Sequence, residues 1–322
     1  MRIGYFADGL WSHQALEKIA KDDRFQVVFI VPRYSLQDPI LKDWAERLNV
    51  DYLPLKNVNR KSNIEKLMSY RADLFVSMSF DQILKKGILE ATPLGFVNCH
   101  AGALPYYRGR NILNWVLIND EKEFGVTVHY VDEGIDTGDI ILQKMEQITS
   151  KDDYSTLLNR AVIVCADLLF EALIKIHGRT AQRKPQSEIH PIGFYCGRRR
   201  IGDEWIDWNW SSRRIFNFIR AITEPGPCAR TMLDGNEVIV KKASSIDYAV
   251  NYIGTPGEII GTRGDDVIVK TGDSTLLLES LSPPSSIKKF RIGQRFGVNL
   301  IDNVHALQQR VNEFEKYLAE IE

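Results

Sequence analysis

Short apolar runs alternate with amphipathic helical patterns through the first half of the chain. The apolar runs have the length of buried strands and lie at 2–6, 25–31, 73–79, 95–100 and 125–131. Between them, stretches such as 11–21 and 38–49 place their apolar residues on one helical face. A longer periodic segment at 153–176 predicts a helix that closes this half. The alternation predicts βαβ units, and hence an α/β domain with a Rossmann-like, mostly parallel sheet.

The second half has a different pattern. Residues 180–200 are rich in proline, glycine and basic residues and lack periodicity, which is typical of a linker. Residues 207–222 predict a short helix capped by Asp207 or Ser211. Strand-like runs separated by turn sequences then follow at 236–244, 257–263, 265–271 and 274–280. These runs predict a small OB-like antiparallel barrel.

The last segment predicts an amphipathic helix. Its apolar residues at 304, 307, 311, 314, 318 and 321 form one stripe, suited to docking on the barrel or on another subunit. We therefore expect a homodimer. The predicted organisation is a catalytic domain at 1–190, a linker at 191–210, a barrel at 205–302 and a terminal helix at 303–322.

Composition and charge narrow the possible partners. The 322 residues are 44% hydrophobic and 26% charged, with a formal net charge of -1, as in an ordinary globular protein. The chain has no obvious basic stripe, so we expect no nucleic-acid partner. Four scattered cysteines form no CxxC pair, which fits a reducing compartment. With no signal-like start and no apolar run near the ~20 residues of a membrane span, we expect a cytoplasmic protein without a membrane partner.

Residues that can support acyl transfer are densest at 97–115. Asn98 and His100 lie two positions apart at the carboxyl end of a predicted strand, so their side chains point the same way at a ligand-binding edge. An amide can donate to a developing oxyanion, and an imidazole titrates near neutral pH. The glycine-rich loop 134–140 adds Asp136 and Asp139, either of which can orient and charge the histidine. Spacing alone does not choose between the two aspartates.

These motifs resemble those of a known family. Residues 98–120 and 125–141 are similar to the folate-dependent formyltransferase pattern N-x-H-x-S-L-L-P-x-Y-R-G, then G-V-T-x-H, then D-x-G-x-I. Residues 202–244 resemble the C-terminal barrel that methionyl-tRNA formyltransferase shares with amino-sugar formyltransferases. The resemblance covers nearly the whole chain and departs at Gly102 and Ala103, where the pattern has Ser and Leu. The family spacing selects Asp136 over Asp139.

The resemblance implies a donor, a chemistry and a set of site residues. The donor is N10-formyltetrahydrofolate, the acceptor is a primary amine, and no metal is needed. Asn98, His100 and Asp136 are the implied catalytic residues. The residues implied to hold the folate are Phe80, Gln82, Ile83 and Leu84 on one side and Val131, Asp132 and Gly134 on the other.

The acceptor has two interpretations within this family. An enzyme for aminoacyl-tRNA is expected to carry a basic loop after the first strand, but residues 8–19 are not basic. We therefore expect a nucleotide-linked amino sugar on dTDP or UDP, such as those of surface polysaccharides, with the position of its amine open. A diphosphate needs cationic donors, for which Lys85 and Lys86 are weaker candidates. The candidate substrate residues are Trp11, His13, Tyr107, Arg108 and Arg110.

Two functions of other classes remain as alternatives. A dinucleotide-binding oxidoreductase fits the α/β pattern, but the first strand is not followed by G-x-G-x-x-G. A catalytically inactive binding module fits the fold, but the set of Asn98, His100 and Asp136 is intact. Loss of activity on replacing His100 with alanine separates an enzyme from such a module.

Overall fold

The computed structural model describes residues 1–284, 287, 289–297 and 300–321, and in the last segment it describes side chains only at 304, 307–315 and 317. The chain forms two compact units, Met1–Arg199 and Arg200–Glu322. The strands of the first unit are β1 (Arg2–Ala7), β2 (Gln26–Pro32), β3 (Asp51–Tyr52), β4 (Leu74–Met78), β5 (Phe96–His100), β6 (Arg108–Gly109), β7 (Glu123–Tyr130), β8 (Ile140–Gln147) and β9 (Tyr195–Cys196). Its helices are α1 (Gly9–Ala20), α2 (Pro39–Leu48), α3 (Lys61–Ser69), α4 (Lys86–Leu89), α5 (Ile112–Ile118) and α6 (Tyr154–His177).

Seven of these strands form the main sheet, in the order β3-β2-β1-β4-β5-β7-β8. Strands β1 to β5 pair in parallel, whereas β7 runs antiparallel to both β5 and β8. The predicted mostly parallel α/β class is therefore confirmed. The predicted strands did not include β8, because this edge strand has apolar residues only in its first three positions and at Met145 and is otherwise polar.

An aromatic cluster supports the middle of the sheet. Phe6, Phe29, Phe75 and Phe96 are buried, and Phe6 lies with ring centroids 5.0 to 5.8 Å from the other three. The ring of Phe80, just beyond β4, also contacts Phe6 at 5.6 Å. Packed aromatic pairs in a dense core resist displacement. The cluster therefore holds β1, β2, β4 and β5 together in the middle of the sheet, and β4 and β5 run on from it to the carboxyl ends where the candidate site lies.

The second unit contains an antiparallel sheet. Its strands are β10 (Ala229–Leu233), β11 (Asn236–Ser245), β12 (Ile259–Arg263), β13 (Asp266–Lys270) and β14 (Thr275–Ser282), in the order β10-β11-β14-β13-β12. Single bridges join Leu233 to Phe296 and Glu258 to Arg295, so one short segment links the two sides of the sheet. Helix α7 (Ser212–Ile222) begins after Ser211, whose side chain accepts a hydrogen bond from the Arg214 N–H. Ser211, and not Asp207, is thus the cap.

The predicted terminal helix is present as α8 (Leu300–Ile321). Its apolar residues Val304, Leu307, Val311 and Phe314 are exposed, and positions 318 and 321 lie outside the described side chains. The homodimer stays a prediction. Across the described residues, no helix combines the length and apolar character that a bilayer crossing requires.

Candidate active site

A cavity of about 760 Å³ opens at the carboxyl ends of β1, β4 and β5. Its size lies within the usual range of small-molecule sites. Asn98, His100 and Asp136 all line it. The sequence places Asn98 and His100 at the end of one strand, and the structure brings the loop after β7 against them. The three predicted catalytic residues therefore share one cavity.

The hydrogen bond that His100 makes fixes the tautomer of its ring. Its Nε2 lies 2.7 Å from the carbonyl oxygen of Tyr107, and a carbonyl only accepts, so Nε2 carries a hydrogen. The side chain is 8% exposed. Its Nδ1 lies 3.7 Å from Oδ2 of Asp136. Nδ1 is therefore the nitrogen that can take up or release a proton while Nε2 stays bound.

Gly102 makes room for this arrangement. A Cβ atom at position 102 would lie 2.5 Å from both His100 Nε2 and the Tyr107 carbonyl oxygen, which is closer than non-bonded atoms approach. The chain therefore keeps glycine where the family pattern has serine. The absence of a side chain at position 102 allows the close contact between His100 and the Tyr107 carbonyl oxygen.

Asp136 is held as a carboxylate. Burial by itself would raise its pKa, but the electrostatic interaction with the His100 imidazole and a hydrogen bond from the Gly109 N–H at 2.9 Å lower that pKa well below its usual range. Its backbone has a φ of 54°, in the left-handed region. The buried side chain of Gln186 stabilises this turn by donating to the carbonyl oxygens of Asp136 and Gly138, each at 2.8 Å.

Geometry also separates the two candidate aspartates. Asp136 Oδ2 faces His100, whereas Asp139 Oδ2 lies 3.6 Å from Nε of Arg183. Asp139 is not among the residues that line the cavity. Asp136 is thus the aspartate in position to orient the imidazole.

His129 is a site residue that was not predicted from the sequence. Its Nδ1 donates to the Tyr130 carbonyl oxygen at 2.7 Å, which leaves the Nε2 lone pair to accept from Asn98 Nδ2 at 3.2 Å. The same Nε2 lies 3.6 Å from Asp136 Oδ1, and the residue is 1% exposed. His129 therefore holds the amide of Asn98 in one orientation. The available signal was the histidine of the G-V-T-x-H motif.

Replacing His129 with alanine is expected to lower kcat by about 10- to 100-fold, because the Asn98 amide loses the partner that orients it. Glutamine at 129, which can offer an acceptor, is expected to recover part of the rate. Steady-state kinetics with melting temperatures would check this, with His177→Ala, at an exposed position in α6, as the control. Equal kcat values for His129→Ala and the control would show that His129 does not position the site.

The residues predicted to hold the folate all belong to the wall of the cavity. Phe80, Gln82, Ile83, Leu84, Val131, Asp132 and Gly134 all line it. Gln82 donates to the Leu55 carbonyl oxygen and accepts from the Val58 N–H, which anchors the loop after β4. Asp132 accepts from the Gly134 N–H and the Thr137 hydroxyl, which closes the opposite loop into a turn. Apolar walls with ordered polar groups suit a flat heterocycle.

The predicted substrate residues divide into two groups. Trp11 and Arg110 line the cavity, whereas His13, Tyr107 and Arg108 do not. His13 Nε2 is bound to Asp38 at 2.6 Å. Tyr107 is buried, and its hydroxyl donates to Glu121 at 2.5 Å. These two side chains are engaged in structural contacts and do not line the cavity with Trp11 and Arg110.

The guanidinium of Arg108 is engaged in hydrogen bonds within the protein. It donates from Nε and Nη2 to Gln186 Oε1, at 3.1 and 2.7 Å, and from Nη1 to the Ile192 carbonyl oxygen. Since Gln186 holds the turn at Asp136, Arg108 supports the catalytic loop from behind. Of the two weaker cations, Lys86 lies 3.9 Å from Glu90, and neither Lys85 nor Lys86 lines the cavity.

A strap formed by residues 195–199, which lie within the predicted linker, adds side chains to the cavity wall. Strand β9 pairs in parallel with β6, and the Arg110 N–H donates to the Cys196 carbonyl oxygen. The Trp115 indole N–H donates to the Gly197 carbonyl oxygen. Tyr195 and Arg198 thereby join Arg110 in the cavity wall. Arg33 and Asp81 line it as well. Among the described residues, no cluster of three His, Cys, Asp or Glu side chains can hold a metal ion.

Comparison with known proteins agrees with this geometry. The formyl transferase model matches residues 10–173, and the formyl transferase C-terminal domain model matches residues 200–294. The methionyl-tRNA formyltransferase of Fusobacterium nucleatum is 30% identical over 94% of this chain and 96% of its own.

Two solved structures have the same fold. One is WlaRD, a sugar 3N-formyl transferase in the presence of dTDP and 5-N-formyl-THF, with a TM-score of 0.66, 22% identity and coverage of 89% of this chain and 99% of its own. The other is an N-formyltransferase from Helicobacter canadensis in complex with folinic acid and dTDP-3-aminofucose, with a TM-score of 0.64, 22% identity and coverage of 87% and 99%.

The fold and the matched models define the class: the protein is a formyltransferase with an α/β catalytic unit. It belongs to the formyl transferase family, as the motifs predicted, and the formyl donor of this folate-dependent family is N10-formyltetrahydrofolate.

Proposed function

We propose that this enzyme transfers the formyl group of N10-formyltetrahydrofolate to the primary amine of a nucleotide-linked amino sugar. The observation that carries the choice of acceptor is the short connection between β1 and α1. Helix α1 begins at Gly9, directly after β1, so no basic loop projects between them. The cavity offers an aromatic side chain, Trp11, at this point. Such a wall fits a sugar ring better than a polyanionic RNA backbone.

The proposed chemistry begins with attack by an unprotonated amine on the formyl carbon, which places negative charge on the formyl oxygen. One N–H of Asn98 is directed to His129, and its second N–H is the donor available to that oxygen. Because His129 holds the amide before the reaction, this donor needs no reorganisation in the transition state. Asn98 is thus proposed to stabilise the oxyanion.

His100 and Asp136 are proposed to handle the proton that leaves the amine. The Nδ1 of His100 can accept it, directly or through a water, and the Asp136 carboxylate at 3.7 Å stabilises the resulting imidazolium. The proton can then pass to the folate nitrogen that loses the formyl group. The low pKa of Asp136 means that it remains a carboxylate during this exchange.

The acceptor side is proposed to use the strap. Arg110 and Arg198 are exposed cations in the cavity wall, suited to a diphosphate, and Trp11 and Tyr195 offer ring faces for the sugar or base. Arg198 belongs to the segment that β6 and β9 fix in place. The proposed nucleotide is dTDP or UDP.

A second candidate function is methionyl-tRNA formylation. It is favoured by the similarity of the sequence to methionyl-tRNA formyltransferases, such as that of Fusobacterium nucleatum at 30% identity. The formal net charge of -1 and the absence of a basic insertion after β1 argue against it.

Calorimetric titration with dTDP and UDP tests the proposal at the level of binding. We expect one of the two nucleotides to bind the folate-loaded enzyme, and tRNA not to displace it. Binding of tRNA, with no measurable affinity for either nucleotide, would contradict the proposed acceptor.

Replacing Arg110 with glutamine is expected to raise the acceptor KM by about 10- to 100-fold with little change in kcat, because a charge-assisted contact to the diphosphate is lost in ground and transition states alike. The matched control is Arg179→Gln, at an exposed position on the same unit. An unchanged acceptor KM in Arg110→Gln would remove Arg110 from the phosphate site.

A further inference from the structure

A second concavity adjoins the donor part of the active-site cavity. It is lined by Lys56, Asn57, Asn59, Arg60, Asn63 and Lys85 and is called the basic groove below. Gln82 and Ile83 line both the groove and the cavity, so the two meet at the loop predicted to hold the folate. A ligand that fills the folate region can therefore extend into the groove.

The groove is positive and its cations are free. Lys56, Arg60 and Lys85 are exposed, and none of them forms an ion pair within the part of the chain that the structure describes. The groove has no carboxylate among its described lining residues, and its other polar side chains are amides. Helix α3, which starts beside it at Lys61, has no acidic residue in its first turn. This chemistry suits an anion with several separated charges.

Side-chain amides tie the groove to the donor loop. Asn59 donates from Nδ2 to the Ile83 carbonyl oxygen and accepts from the Lys85 N–H, both at 2.8 Å. Gln82 binds the backbone at Leu55 and Val58 on the other side. The segment that carries Lys56 and Arg60 therefore has a fixed position relative to the folate loop.

We infer that the basic groove binds the γ-linked glutamate tail of the folate donor, and that the enzyme prefers donors with several glutamates. A folate consists of a pterin, an aminobenzoyl ring and a glutamate chain with one free carboxylate per residue and one more at its end. Ile83, 65% exposed at the junction, offers an apolar surface for the ring. The carboxylates beyond it then reach Lys56, Arg60 and Lys85.

This inference concerns the donor and does not depend on which amine is the acceptor. It is therefore tested first by calorimetric binding of 5-formyltetrahydrofolate in its mono-, tri- and pentaglutamate forms, with no acceptor present. Each exposed charge pair is expected to lower the dissociation constant by a factor of a few. The pentaglutamate is therefore expected to bind about tenfold more tightly than the monoglutamate. The difference should shrink as salt concentration rises.

The decisive variant is Lys56→Gln/Arg60→Gln/Lys85→Gln, which is expected to abolish the preference for longer tails and to lower the affinity for the monoglutamate, which has only two carboxylates, by less than the affinity for the pentaglutamate. The matched control removes three exposed charges elsewhere on the same unit, as Lys42→Gln/Lys151→Gln/Arg179→Gln. Equal affinity of the wild type for all three forms would overturn the inference. An equal loss of preference in the control would do the same, because it would show attraction by overall charge.

Discussion

Replacing Asp136 with asparagine is expected to lower kcat by about two to four orders of magnitude, the range over which a positioned acid–base group contributes. Asp136 Oδ2 lies 3.7 Å from His100 Nδ1 and accepts a hydrogen bond from the Gly109 N–H. Asparagine keeps the size of the side chain but removes the charge that stabilises the imidazolium. The donor KM should change little, because the folate loop is anchored separately through Gln82.

The same loop offers a matched control for this variant. Asp139→Asn removes an equal charge three positions away, where the carboxylate faces Arg183 and does not line the cavity. We expect this control to keep kcat within about twofold, as for most surface changes. Comparable losses of kcat in the two variants would show that activity depends on the total charge of the loop and not on the position of Asp136. That result would contradict the role proposed for Asp136.

Replacing Asn98 with aspartate is expected to lower kcat by about 10²- to 10³-fold or more, since removing one donor to an oxyanion has that effect. Aspartate has the same shape but cannot donate when ionised, and it would place a second carboxylate beside Asp136. Asn98→Ala tests the loss of the donor without the added charge. Single-turnover rates are the measurement, with melting temperatures as a check of folding.

The two Asn98 variants also distinguish an oxyanion donor from a structural amide. A donor to the oxyanion acts in the transition state, so kcat should fall while the KM values for both substrates stay nearly constant. A rise in the donor KM with unchanged kcat would assign Asn98 to ground-state binding of the folate. That result would leave the chemistry to His100 and Asp136.

Periodicity was sufficient to predict the fold class because each element has a strong local pattern. Strands β1, β2, β4 and β5 are continuous apolar runs, as expected for strands buried on both faces. The direction of β7 could not be derived in this way. Its pairing with β5 is antiparallel, with Asn98 opposite His129, and strand direction depends on a connection that has no local signature. The role of His129 was missed for this reason.

The predicted catalytic residues came together because motif spacing and strand ends constrain where they lie. The predicted phosphate-binding arginines were harder to identify, because an arginine beside a loop has the same appearance in sequence whether it is free or engaged. Only the fold shows that Arg108 is bound to Gln186 and Ile192. The same holds for Arg198, which reaches the cavity through the pairing of β6 with β9 across a long stretch of sequence.

The measurement that tests the central claim most directly is a comparison of acceptors under identical conditions. Formylation from N10-formyltetrahydrofolate labelled at the formyl carbon would be followed by mass spectrometry with dTDP- and UDP-linked 3-amino and 4-amino sugars, and with aminoacylated initiator tRNA. We predict that one nucleotide sugar becomes labelled on its amine, with a kcat/KM at least about a hundredfold above that for the tRNA, a gap that corresponds to a few kcal/mol. Label on the tRNA, with none on any of the sugars, would contradict the account.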